Sequence, residues 1–119
     1  MFSPTAQEYI ADPGKTGPLE AATHHGRHGN PGDGPYVLLW LVVDASGVIT
    51  DVSQETNGCP TIIACASLAT RLLKGRTVEQ ARRLEPEDLV MILGSLPEGK
   101  GDCPRMVVHA LTAALGGTE

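Results

Sequence analysis

The sequence predicts an α+β fold, with its strands gathered into a hairpin and helices following, and three observations predict it. First, the run "PYVLLWLVV", the turn "DASG" and the run "VITDVSQET" place two β-rich segments on either side of a short connection. Second, two later segments, "CPTIIACASLATRLLKG" and "CPRMVVHALTAALGG", each open with Cys-Pro and carry apolar residues at three- and four-residue steps up to a glycine. Third, 41% of the 119 residues are hydrophobic but only 3% are aromatic, so one core of Val, Leu, Ile and Ala in a single domain spanning 1–119 is expected.

Taken in order, Ser3 to Ile10 reads as a short helix, with Ser3 as cap and Pro4 in the first turn. Ala11 to Gly34 holds six glycines and three prolines with little periodicity, which predicts a loop with room for one short strand. The hairpin follows. Its first strand reads as buried on both faces, while its second, where Val48, Asp51 and Ser53 mix with Ile49 and Val52, leaves one face wet. After Cys59, the stripe Ile62, Cys65, Leu68, Ala69 and Leu72 predicts a helix with that face against the sheet, stopped by Gly75. Thr77 with Gln80 has the form of a capping box for a short helix to about Arg83, and another runs from about Pro86 to Gly94. "LPEGKGD" is a loop, and Pro104 to Leu115 is the last helix, stopped by Gly116 and Gly117.

Charge and hydropathy exclude two classes of partner. The net charge is -5, and no basic run exceeds Arg82-Arg83, so nothing here attracts a nucleic-acid backbone. The longest apolar run, Tyr36 to Val43, is far short of the roughly 20 residues that span a bilayer. The opening "MFSPTAQEYIADPG" lacks the basic and apolar parts of a signal segment, so a cytoplasmic location is expected. Three cysteines in such a chain point to reduced thiols with a metal, sulfur or packing role rather than to disulfides.

Cys59 and Cys103 carry the chemistry. A thiol in the opening turn of a helix faces unpaired N–H groups and the positive end of the helix dipole, and both favour thiolate. A proline directly after it costs nothing, because its missing N–H would have been unpaired. If both helices start at one corner of the sheet, the two thiolates can share a soft metal or a sulfur atom. Spacing alone leaves it equally open that each is a small residue near a helix start; the duplication favours chemistry. Cys65 falls on the apolar stripe and reads as a core thiol. His24, His25 and His28 have metal-like spacing, but Gly26 and Gly29 interrupt any helix that would gather them, so a solvated loop is expected. His109 reads as a surface residue, and "GKGD" lacks the strand, spacing and hydroxyl of a phosphate loop. No hydrolytic constellation assembles, and an enzyme is not indicated.

Several of these stretches carry a resemblance. "VLLWLVVDASGVITDVSQETNGC", "SLATRLLKGRTVEQA", "LPEGKGDC" and "HALTAAL" resemble the U-type iron-sulfur scaffold family, the IscU proteins and the amino-terminal domain of NifU. "FSPTAQEYIADPGKTG" resembles that family's opening helix and Asn-Pro-x-x-x-Gly segment, with Asp12 where Asn is usual. The resemblance implies a SufE/NifU-like α+β fold, a small antiparallel sheet of about three strands packed against several helices. It implies that cysteines at one tip assemble a 2Fe-2S cluster, with sulfur received from a cysteine desulfurase and the cluster passed to acceptor apo-proteins.

Cys59 and Cys103 match the second and third of the family's three cysteines. Counted back from Cys59 without a gap, the first falls on Asp33, and the family's following aspartate falls on Pro35. The residue before the third cysteine, a His in most of the family, is Asp102. The ligand set so implied is Cys59, Cys103, Asp33 and Asp102. Carboxylates are harder donors than thiolates and favour iron or zinc in more solvated states. The chaperone-recognition segment Leu-Pro-Pro-Val-Lys is here Leu96-Pro97-Glu98-Gly99-Lys100, without its apolar anchors, so dependence on a dedicated chaperone is not expected. The spacing from Cys59 to Cys103 has no room for the long insertion of the SufU branch, which makes IscU and NifU the closer match. Two other readings stay open, a zinc-holding sulfur acceptor that partners a desulfurase and a metal-free interaction module, and so does assembly into a homo-oligomer.

Overall fold

The computed structural model describes residues 4–12, 14–30, 32, 34–94 and 102–116. Among these the elements run α1 (Pro4–Ala11), β1 (His24–His28), β2 (Tyr36–Val43), β3 (Ile49–Asn57), α2 (Pro60–Leu73), α3 (Val78–Ala81), α4 (Pro86–Leu93) and α5 (Asp102–Ala114). The strands form one antiparallel sheet in the order β1-β2-β3. The α+β expectation and its three strands therefore hold.

β2 occupies the centre. Val37, Leu39 and Leu41 point into the helices and are fully buried, while Tyr36, Leu38, Trp40 and Val42 on the other face are half-buried. The expectation of a strand sealed on both faces is thus corrected: no helical layer covers the second face among the described residues, and the pleat shows as ordinary alternation. In β3, Ile49 and Val52 both reach the core although they are three residues apart. A register shift makes this possible, since Val42 pairs with Asp51 and Val43 with Ile49, leaving Thr50 as an extra residue that reverses the side-chain alternation.

The segment before β1 covers the outer edge of β3. Thr16 bridges Gln54 in parallel, Gly17 N–H donates to Gln54 C=O at 3.1 Å, and the Ser53 hydroxyl donates to the Gly17 carbonyl at 2.5 Å. Ser53 and Gln54 are buried in consequence, which corrects the wet face expected for this strand.

α2 is more enclosed than its sequence stripe implies. Besides Ile62, Cys65, Leu68 and Ala69, its Thr61, Ala64, Ala66, Ser67, Thr70 and Leu73 are buried. The sheet takes one side, and α1, α4 and α5 take the others. The far side is sealed by polar bonds: Ser67 donates its hydroxyl to Asp12 C=O at 3.0 Å, Arg71 donates to the same carbonyl at 2.6 Å, and Arg71 pairs with the Asp12 carboxylate at 3.2 Å. The Arg71 guanidinium also lies over the Tyr9 ring, 4.9 Å from its centroid. Asp12, where the resembled family has Asn, therefore gains an ion pair.

α3 opens with the anticipated capping box. Gln80 N–H donates to the Thr77 hydroxyl at 3.1 Å and Thr77 N–H to the Gln80 side-chain oxygen at 3.0 Å. α5 begins two residues earlier than anticipated, at Asp102, so Cys103 lies inside its first turn rather than ahead of it. Gly26 fixes where α5 crosses the sheet. A Cβ built there would fall 2.2 Å from Ala114 N and 2.4 Å from Ala110 O, so only glycine lets the backbones meet. Within the described residues no helix is long and apolar enough to cross a membrane.

Candidate metal and sulfur site

Two helix N-termini place the thiols. Cys59 is the N-cap of α2, in extended conformation at φ -84° and ψ 165°, and Pro60 takes the first helical position. Gly58, at φ +146°, makes the turn from β3 into this cap. Cys103 belongs to the first turn of α5, with Pro104 after it. α2 and α5 pack together, and this brings the thiol of Cys103 into hydrogen-bonding contact with the sulfur of Cys59. The separation of 44 positions in sequence is thereby closed to a shared site.

The two environments differ. Cys59 is half-buried, and Cys103 is 6% exposed. Burial by itself would push the Cys59 thiol up. It is outweighed by the N–H groups of Ile62 and Thr61, the Thr61 hydroxyl and the Cys103 thiol, so the net shift is below the ordinary thiol value. Thr61 is fully buried, and its hydroxyl makes no conventional hydrogen bond among the described residues; the Cys59 sulfur is what it faces. Cys65, in the next turns of α2, is fully buried and pushed up to about 12, first by desolvation and then by Cys103 and Cys59. It is a core thiol as anticipated, shifted in the opposite direction to Cys59.

Of the two carboxylates, Asp102 alone is among the described residues. Asp102 is exposed, with its side chain ion-paired to Arg105 one turn along α5. Asp33 lies outside the described residues, as do Ser3, Gly117 and the segment Leu96 to Lys100. Among the described residues no three His, Cys, Asp or Glu side chains converge to hold a metal ion. The structure thus brings Cys59 and Cys103 together and leaves Asp102 engaged elsewhere. Thr61 is the residue that sequence reasoning passed over; its position two after a helix-capping thiol was the available signal.

The histidines also rearrange. His24, His25 and His28 form a strand rather than a loop, and alternation sends His25 to the face opposite His24 and His28. His28 meets His109 of α5 instead, Nδ1 to Nδ1 at 2.7 Å.

A three-stranded sheet backed by helices, with two thiols brought together at two helix starts, defines a small α+β domain that presents paired thiols at one end. Residues 1–117 match the family described as NifU-like N terminal domain, and the chain belongs to that family. It is similar to the iron-sulfur cluster assembly scaffold protein IscU 1 of Archaeoglobus fulgidus, 31% identical over 97% of this chain and 74% of that protein. It is likewise similar to the IscU scaffold protein of Azotobacter vinelandii, 32% identical over 96% of this chain and 91% of that one. Against the nitrogen fixation protein NifU of Trichormus azollae it is 35% identical and spans 38% of that longer chain. In fold it resembles a SUF-system scaffold protein from Fervidobacterium islandicum, with TM-score 0.72 at 18% identity over 96% of both chains.

Proposed function

We propose that the chain is a scaffold or carrier for iron-sulfur cluster assembly, on which Cys59, Cys103 and Asp33 hold a 2Fe-2S cluster or its iron precursor as cargo. The observation that carries this reading is the contact between the Cys59 and Cys103 sulfurs at the N-termini of α2 and α5. Two thiolates so placed bind iron and sulfide. Membership in the NifU-like family and the names of the IscU relatives support the same assignment. On this reading sulfur comes from a cysteine desulfurase and the cluster leaves to acceptor apo-proteins. Asp33 stands where the family has its first cysteine, and Asp102 joins the ligands by leaving Arg105. A harder carboxylate in place of a thiolate weakens the hold on a sulfide-bridged cluster, which suits a carrier that releases its cargo.

Anaerobic reconstitution with iron, sulfide and a desulfurase tests the proposal. The expected product is coloured, with sulfide-to-iron charge-transfer bands and iron and labile sulfide in equal amounts, and it is lost in the Cys59→Ser, Cys103→Ser double variant. A colourless protein that copurifies with zinc, or one without metal whose partners bind the double variant equally well, would overturn it. The Asp33→Cys variant is expected to raise cluster occupancy or lifetime. Reconstitution no better than that of the parent would remove Asp33 from the site.

A further inference from the structure

The contact between His28 and His109 is explained by neither the sheet nor the thiol pair. His28 ends β1 and His109 lies midway along α5, 81 residues away, yet their Nδ1 atoms are 2.7 Å apart with the rings edge to face at 73°. Gly26 makes the meeting possible by letting α5 lie directly on β1 two residues before His28. At this distance one imidazole donates its Nδ1–H and the other accepts, so the pair shares a single proton between two lone-pair positions. Protonation of His28 is disfavoured, first by burial and then by His109. Two imidazole nitrogens that face each other across one shared proton offer a transition-metal ion a pair of donors in place of that proton.

We propose that His28 and His109 together form a binding site for a divalent transition-metal ion, separate from the thiol pair. Imidazole nitrogens bind such ions at about 2.0–2.1 Å, so cis ligands about 90° apart are about 3 Å from each other. A few tenths of an ångström of separation, with both rings turned off the Nδ1 to Nδ1 axis so that their lone pairs converge on the metal, opens the pair to that span. Space for the rest of the coordination shell exists: both rings line a groove of about 660 Å³, with Asp102, Arg105, Met106 and Thr112 around it. Arg105 is neutralised by Asp102, and Arg27 faces away on the exposed side of β1, so no unpaired cation lines the groove among the described residues. Two protein ligands with water completing the shell make a weak, exchangeable site. Imidazole suits cobalt, nickel, copper, zinc and ferrous iron, and excludes calcium and magnesium.

The site does not depend on the scaffold reading, and its test removes the thiols. In the full chain carrying Cys59→Ser and Cys103→Ser, titration with cobalt(II) or zinc(II) is followed by calorimetry and, for cobalt, by the visible d–d bands. One equivalent is expected, without thiolate charge transfer. His28→Phe and His109→Phe, each shown by circular dichroism to be folded, are each expected to weaken it more than about tenfold, whereas the His24→Gln, His25→Gln pair leaves it unchanged. Nitrogen NMR of the imidazoles is expected to place the metal on both Nδ1 atoms. Absence of uptake in the thiol-free protein, uptake surviving either Phe variant, or dependence on His24 and His25 would each overturn the site and reduce the pair to a structural tether.

Discussion

Two cysteines of one helix are given opposite chemistries by their surroundings. Cys59 is drawn toward thiolate because the N–H groups of α2, the Thr61 hydroxyl and the Cys103 thiol outweigh its burial, whereas Cys65 is held at about 12 by burial and by those neighbours. Alkylation of the metal-free protein at neutral pH is therefore expected to mark Cys59 rapidly and Cys65 only after unfolding, as read by peptide mass spectrometry. Equal labelling of the two in the native state would contradict the assigned environments. Thr61 sharpens the point, because a buried hydroxyl without a conventional partner costs about 1–3 kcal/mol. Thr61→Val keeps the shape and removes that cost, so it is expected to leave stability unchanged or higher while slowing Cys59 alkylation. A variant that loses stability and keeps its reactivity would show the hydroxyl serving the fold instead. The preference for thiolate at a helix start was legible from Cys-Pro alone; the hydroxyl beside it was not, because only packed coordinates reveal an unpaired group.

At the scale of elements, the helices were legible because each carries its own signals: Cys-Pro starts, the Thr77 and Gln80 box, and glycine stops. β1 was hard to read. "HHGRH" has neither β-branched residues nor an apolar face, and it is a strand because β2 offers it an edge and α5 covers it. The bulge opposite Val42 and Val43 was equally hidden, since it is set by pairing rather than by composition. Gly26 gives the crossing of β1 and α5 a direct test. Gly26→Ala would press a methyl group onto Ala114 N and Ala110 O, which are backbone atoms that cannot rotate away. A loss of about 3 kcal/mol or more is expected, at or beyond the upper end for overpacking, from denaturant unfolding monitored at Trp40. A cost under about 1 kcal/mol would mean that the helix slides easily along the strand.

Across the whole molecule, two long-range meetings set the arrangement: α2 against α5, which joins the thiols, and β1 against α5, which joins the histidines. The first was anticipated as a condition on two helix starts. The second depends on a glycine-permitted approach between segments 81 positions apart, and no local pattern announces it. It carries a pH dependence with a definite sign. His28 is depressed below its ordinary value of 6.5, chiefly by burial and further by His109. As pH falls below that value the unfolded chain takes up a proton that the folded chain resists, so the unfolded state binds more protons and stability declines. The groups facing the pair are Asp102 and Arg105, already committed to each other, and His24 on the same face of β1. Thermal melts of the metal-free protein between about pH 7.5 and pH 5.5, above the range where carboxylates titrate, are expected to show the midpoint falling. His28→Phe is expected to flatten that slope, because the variant has no imidazole at this position to charge. Parallel slopes in the two proteins would place the acid sensitivity elsewhere and leave the His28 to His109 bond without energetic weight in the fold.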